Sequence, residues 1–379
     1  MARLPDFPWD SLAPFKERAT AVSADLPGGG LVDLSVGTPV DATPAVVQDA
    51  LRSAADAPGY PQAWGTPALR EAVAGWFARR RGVPDLNPDG VLPTIGSKEL
   101  VAWLPTLLGL CAGDIVGFPG VAYPTYDVGA RLAGAVPKVV DGLAALGPLT
   151  TSTTPKLLWL NSPGNPTGKV LGVGHLAKVV QWARRNNVVV ASDECYAELD
   201  WRERGPDSGD EPPTTPSILD PRVTGGSHEG LLAVYSLSKQ SNLAGYRAAF
   251  VAGDPVLVQR LLEVRRHAGM IMPWPVQQAM AVALGDEAHV AGQRAVYGRR
   301  RALLRAAVEG AGLRIDDSEA GLYLWCTRGE DAWSTVGWLA DRGILAAPGS
   351  FYGTAGAQHV RIALTASDER IEAAVSRLA

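Results

Sequence analysis

Short apolar runs recur along this chain, separated by helix-length amphipathic segments, and that alternation narrows the possible folds more than any other property. The runs at residues 156–161, 188–191, 231–236 and 248–251 are too short for helices and too continuous for half-exposed strands. They read as strands buried on both faces. Two more strand-like stretches stand at 90–94 and 115–118, and a short one at 31–36. Helical patterns fill the gaps at 44–57, 67–81, 98–110 and 174–186. Thr66 and Pro67 form a cap and first turn for one of them, and Thr43 and Pro44 for another. The alternation predicts an α/β fold with a mostly parallel central sheet covered by helices on both faces. Such sheets bind ligands beyond the carboxyl ends of their strands.

Beyond residue 275 the pattern changes to long helices at 276–284 and 288–311, with strand-like pieces at 321–326 and 359–363. A chain of 379 residues is long enough for two units. The expected division is an N-terminal arm over 1–36 that joins the smaller unit, a large domain over 37–275, and a small α+β domain over 276–379. Residues 203–229, rich in Gly, Pro, Ser and Asp, are expected to be a solvated loop. The Arg79–Arg81 and Arg299–Arg301 runs are expected on solvated helix faces.

Composition excludes several functions. A net charge of −4 gives no reason to expect nucleic acid or an anionic membrane as a partner. Cys111, Cys195 and Cys326 are far apart and the histidines have no ligand spacing, so neither a disulfide scaffold nor a metal site is suggested. The N-terminus lacks the apolar core of a signal peptide, and no apolar run reaches the roughly 18 residues of a membrane span. A cytoplasmic enzyme is expected.

The chain has only seven lysines, so candidate amine nucleophiles are few. Lys239 follows an apolar run within Ser236-Leu237-Ser238-Lys239, and Arg247 follows within Gly245-Tyr246-Arg247. Lysine is the side chain that forms a Schiff base with an aldehyde. Two hydroxyls and a guanidinium beside it suit a phosphate. Asp193, at the end of another apolar run, would be costly to bury unless it met a cation. The protonated ring nitrogen of pyridoxal phosphate (PLP) is such a cation, and the competing reading is a helix cap. Tyr196 and Asn165 stand where they can reach the phenolic oxygen of that cofactor. Gly96-Ser97-Lys98 opens a helix, whose N–H groups and dipole favour phosphate.

In this order, Gly96 to Lys98, Tyr123, Asn161 to Gly168, Asp193 to Tyr196 and Ser236 to Arg247 resemble the class I/II aminotransferases of the fold type I PLP family. The resemblance extends from about residue 30 to residue 365. It implies that Lys239 holds the cofactor and shuttles the proton, and that Asp193 pairs the ring nitrogen. It implies Ser97, Ser236, Ser238 and Arg247 at the phosphate, and Tyr123 stacked on the ring. It implies Arg361 and the backbone of Gly37 at the substrate carboxylate. Tyr60, five residues before Gly65, matches a tyrosine that reaches the phosphate of the neighbouring subunit, which implies a homodimer.

The stretches 193–201, 217–221 and 226–230 look like actinobacterial-type N-succinyl-LL-diaminopimelate aminotransferase. That implies a place in lysine and diaminopimelate synthesis, with glutamate as amino donor. A second cation for the substrate's distal anionic groups is then expected, and Lys98 is the candidate; the competing reading is a solvated lysine. Trp64 and the stretch 270–274 are candidates for lining the distal pocket or, equally, for the core. Another aminotransferase (aspartate, alanine, aromatic or LL-diaminopimelate type) would keep every cofactor residue. A C–S lyase would share the frame. A regulator would need an added DNA-binding domain, for which a pattern starting near residue 30 is expected to leave no room.

Overall fold

The computed structural model describes residues 4–146, 150, 153–203 and 215–379. The first strand is β1 (Val32–Asp33). It is followed by β2 (Val91–Ile95), β3 (Ile115–Phe118), β4 (Val136–Val139), β5 (Leu157–Asn161), β6 (Val189–Asp193), β7 (Leu231–Ser236) and β8 (Ala248–Gly253). Strands β2 to β8 form one sheet in the order β2-β8-β7-β6-β5-β3-β4. Neighbours are parallel except for β8, which runs antiparallel to both β2 and β7. Strands β2, β3, β5, β6 and β7 therefore point the same way, and their carboxyl ends share one edge of the sheet. Every residue of β7 and β8 is buried, as the unbroken apolar runs predict.

Helix Pro67–Arg81 forms where Thr66 and Pro67 place it; the Thr66 hydroxyl accepts from the Leu69 N–H at 3.1 Å. Its C-terminus is closed by Gly82 at φ 66°, a left-handed position that favours glycine. Thr43, by contrast, does not cap a helix: Ala45–Ser53 starts one residue after Pro44 without a side-chain cap.

A second, smaller sheet follows, made of β9 (Arg314–Asp316), β10 (Tyr323–Thr327), β12 (Ala347–Pro348) and β13 (Val360–Ala363), in the order β12-β13-β10-β9. Strand β11 (Ile344–Leu345) pairs with β1 of the N-terminal arm, Val32 opposite Ile344. Leu12, Val32 and Leu34 of the arm share a core with Leu324, Ile362 and Ile371.

Three expectations fail. Helix Trp274–Gly285, placed by pattern with the small unit, buries Val276, Ala279, Met280 and Ala283 in the core of the large sheet beside Leu69 and Val73. It is apolar nearly all round, so periodicity could not assign its side. The 203–229 stretch is not uniformly a solvated loop. Residues 204–214 lie outside the described residues, but Thr215, Ser217, Ile218, Leu219 and Asp220 are buried. Nor are the arginine runs simply solvated. Arg81 is buried against Glu194 at 3.0 Å, and Arg300 against Asp41 and Asp368, each at 2.6 Å. A guanidinium can be buried when its charge is paired and its terminal N–H groups find acceptors, as they do here.

Candidate active site

The carboxyl ends of these strands open on a cavity of about 460 Å³. Its wall includes Gly37, Ser97, Lys98, Tyr123, Asn165 and Asp193. Tyr196, Ser236, Ser238, Lys239, Arg247 and Arg361 complete the set expected there. Chain segments from residue 37 to residue 361 thus meet at one place. Gly96 lies directly behind it, at φ 79°, where an added Cβ would strike the Arg247 guanidinium. Tyr60 is the exception. Its side chain is fully exposed and lies outside the cavity of its own chain. Trp64, Met270 and Met272 pack with core clusters and do not line the cavity.

Lys239 sits in the short helix Leu237–Gln240 that directly follows β7. Its ammonium donates to the Gly37 carbonyl. Burial holds its pKa below the usual lysine range, because a charged amine is disfavoured out of water. Ser236 caps the same turn: its hydroxyl accepts from the Ser238 N–H at 3.2 Å and lies 2.8 Å from the Ser238 hydroxyl. Ser97 begins the helix Ser97–Leu107, so the first N–H groups of that helix face the same region as Arg247.

Asp193 ends β6 and is buried. One carboxylate oxygen accepts from the Cys195 N–H at 3.2 Å, and the other from the Tyr126 hydroxyl at 3.0 Å. Burial raises its pKa, and these donors only partly oppose the rise. The carboxylate accepts from two donors and also lines the cavity.

Arg361, on β13, is wholly buried. It donates to Asn165 Oδ1 at 3.1 Å and to the Ser35 carbonyl at 2.6 Å. Its Nε has no partner among the described residues. A buried guanidinium with a spare N–H, at the wall of a cavity, is suited to a carboxylate.

Sequence reasoning missed Phe7, Trp9, Cys195 and Tyr323 in the wall, and Tyr126 behind it. Phe7 and Trp9 come from the N-terminal arm, and the Lys98 ammonium lies 5.7 Å from the centre of the Phe7 ring. Nothing local marks these residues; their role depends on which segments meet in space.

The donor set fits PLP. A lysine with a depressed pKa, a buried carboxylate that faces open space, and hydroxyls beside an arginine at a helix N-terminus are the partners an aldehyde, a ring nitrogen and a phosphate need. Fold and cavity define a fold type I PLP-dependent enzyme. The sequence profile of the family described as aminotransferase class I and II matches residues 30–378, and the chain belongs to that family. A probable aminotransferase of Mycobacterium tuberculosis is 57% identical over all of this chain and 86% of its own length. The 4-dedimethylamino-4-oxo-anhydrotetracycline transaminase of Streptomyces rimosus is 56% identical, with both chains covered in full. Among solved structures, a probable N-succinyldiaminopimelate aminotransferase of Thermus thermophilus is similar with a TM-score of 0.81 and 30% identity, over 98% of this chain and 99% of that one. The protein is an aminotransferase with PLP as its cofactor.

Proposed function

We propose that this aminotransferase acts on N-succinyl-LL-diaminopimelate, with glutamate as amino donor, as a cytoplasmic homodimer. The observation that carries the substrate assignment is the cation count of the cavity. Besides Lys239, its wall holds Arg247, Arg361 and Lys98. In this reading Arg247 faces the cofactor phosphate and Arg361 the substrate α-carboxylate. Lys98, exposed at the wall, then remains for a distal anionic group. The name of the Thermus thermophilus neighbour supports the same substrate class.

PLP, when bound, supplies an electron sink that makes the proton on the substrate α-carbon acidic. The residues around it divide the remaining work. Lys239 Nζ would hold the cofactor and, once the incoming substrate amine has taken its place there, would take up and hand back the substrate α-proton; its depressed pKa favours the neutral amine this needs. Asp193 would keep the ring nitrogen protonated. Ser97, Ser236, Ser238 and the backbone at Gly96 would hold the phosphate with Arg247. Tyr123 would lie against the ring, and Asn165 and Tyr196 would hold its phenolic oxygen. Arg361 and the Gly37 backbone orient the carboxylate. Tyr60, exposed in its own chain, serves the partner subunit's site. In this reading the smaller domain comprises the arm and the chain from about Glu287 onward, because helix Trp274–Gly285 belongs with the large core.

A second reading has its own support: the Streptomyces rimosus relative, named for a 4-oxo anhydrotetracycline, matches over its whole length, and Phe7 and Trp9 give the cavity an aromatic rim. A half-reaction screen separates the two. Purified holoenzyme is mixed with N-succinyl-LL-diaminopimelate, LL-diaminopimelate, glutamate, aspartate, alanine, aromatic amino acids and a thioether amino acid, and the cofactor spectrum is followed. The aminated enzyme is then offered the 4-oxo anhydrotetracycline. Fast conversion by N-succinyl-LL-diaminopimelate and glutamate is expected. No conversion by the succinylated substrate refutes the assignment, and release of ammonia and pyruvate from the thioether would indicate a C–S lyase.

A further inference from the structure

Strands β10 and β13 pair antiparallel with Trp325 opposite Arg361 and Tyr323 opposite Ala363. Tyr323 and Arg361 are therefore diagonal neighbours on one face of the small sheet. The Arg361 guanidinium carbon lies 4.0 Å from the centre of the Tyr323 ring and 5.0 Å from that of Tyr352. At the other end of the side chain, the Tyr323 hydroxyl lies 3.1 Å from the Tyr196 hydroxyl. It also packs against Gly37, where any Cβ would collide with it. Tyr323 is buried and lines the cavity. One side chain thus touches three residues that the proposed function places at the cofactor or the substrate carboxylate.

Either hydroxyl can donate across this contact, but each carries a single O–H, so a Tyr196 that gives its own to the cofactor's phenolic oxygen must accept from Tyr323. Burial raises both, but beside Tyr323 the charges of Arg361 and then Lys239, together with the hydrogen bond to Tyr196, oppose it and leave its pKa below the usual tyrosine range. The pKa of Tyr196 stays well above that range, with burial the largest cause. The titratable groups that face Tyr323 are Arg361 from β13, Lys239 from beyond β7, and Tyr196 and Cys195 from beyond β6. Tyr123, Tyr297 and Tyr352 stand further round the same space.

We propose that Tyr323 is a positioning residue with two separable parts: its hydroxyl donates to Tyr196 and so turns the Tyr196 O–H toward the phenolic oxygen of the cofactor, while its ring holds the Arg361 guanidinium flat for the substrate carboxylate. The inference rests on the contacts proposed above for Tyr196 and Arg361. A hydroxyl that accepts one hydrogen bond becomes a stronger donor of the next. The ring beneath Arg361 fixes the plane of the guanidinium without using any of its N–H groups.

The test separates hydroxyl from ring. Its first readout is the pH midpoint of the visible absorption band of the resting holoenzyme, which reports how firmly the deprotonated phenolic oxygen of the cofactor is held. Tyr323→Phe keeps the ring and loses the hydroxyl. The midpoint should rise by a few tenths of a pH unit, in keeping with the roughly 10–30% by which one bond strengthens the next in a chain. KM for the amino acid should stay in place. Tyr323→Leu should show the same shift and also raise KM about two- to thirtyfold, the span of a cation–π contact. Fluorotyrosine at position 323 keeps the shape and strengthens the donor, so it should move the midpoint down; it also covers the case in which the truncated variants do not fold. Tyr196→Phe is the control for the underlying reading. If it shifts the midpoint and Tyr323→Phe does not, the proposed relay is wrong and the role of Tyr196 stands. If Tyr196→Phe shifts nothing, both fall. If Tyr323→Phe raises KM as much as Tyr323→Leu, the assignment of that part to the ring is overturned.

Discussion

Replacing Asp193 with asparagine should have opposite effects on the empty protein and on the loaded enzyme. The carboxylate is buried at the end of β6, with the Cys195 N–H at 3.2 Å and the Tyr126 hydroxyl at 3.0 Å as its donors. Burial raises its pKa above the ordinary 3.8. A raised carboxyl contributes stability that is present below its unfolded-state pKa and lost as pH rises through its folded-state value. Near neutrality the cofactor-free protein therefore bears a cost for burying this carboxyl group, and Asp193→Asn should melt at the same or a higher temperature. That advantage should shrink as the pH falls toward 3.8. With PLP bound the balance reverses, because the carboxylate then faces a protonated ring nitrogen. Breaking a buried charge pair costs about 3–5 kcal/mol. At ~1.4 kcal/mol per tenfold, turnover should fall by roughly two to four powers of ten. Thermal melts of both forms with and without PLP, and single-turnover half-reactions at saturating PLP, measure the two effects. A cofactor-saturated Asp193→Asn enzyme that turns over within about tenfold of the parent would refute the pairing. A large loss of stability in the cofactor-free variant would show that the carboxylate serves the fold instead.

Two further outcomes are expected. Mixing Tyr60→Phe with Lys239→Ala chains and allowing subunit exchange should give activity above the mean of the two parents, because one heterodimer site carries both lesions and the other neither; simple averaging, or a protein that sediments as a monomer, rules out a shared site. Glu194 accepts from buried Arg81 at 3.0 Å and from the Ile218 N–H at 2.8 Å. Glu194→Ala should therefore cost about 3–5 kcal/mol in chemical denaturation, and a change well below that would show that the guanidinium finds other partners.

Much of the fold and of the candidate site is legible in the amino-acid sequence alone. Apolar runs at 156–161, 188–191 and 231–236 can only be satisfied as buried strands, and alternation with helices then aligns their carboxyl ends. Polar residues just past such ends, with a lysine among them, mark a site because burial there is costly without a ligand. That reasoning places Lys239, Asp193, Asn165, Ser236 and Arg247 around one cavity. It fails where partnership is non-local. Arg81 and Ser217 are residues of surface-seeking types, yet both are buried because Glu194 satisfies them from another segment. Helix Trp274–Gly285 is apolar nearly all round, so packing alone chose its domain. Tyr323 reads as one more apolar position of a strand. Its meeting with Arg361 follows from the register of β10 against β13, and its meeting with Tyr196 from the packing of the segment after β6 into the core that Tyr323 shares. Local pattern sets which elements form and which groups need a partner; which partner each group receives is set by register and packing between segments distant in the chain.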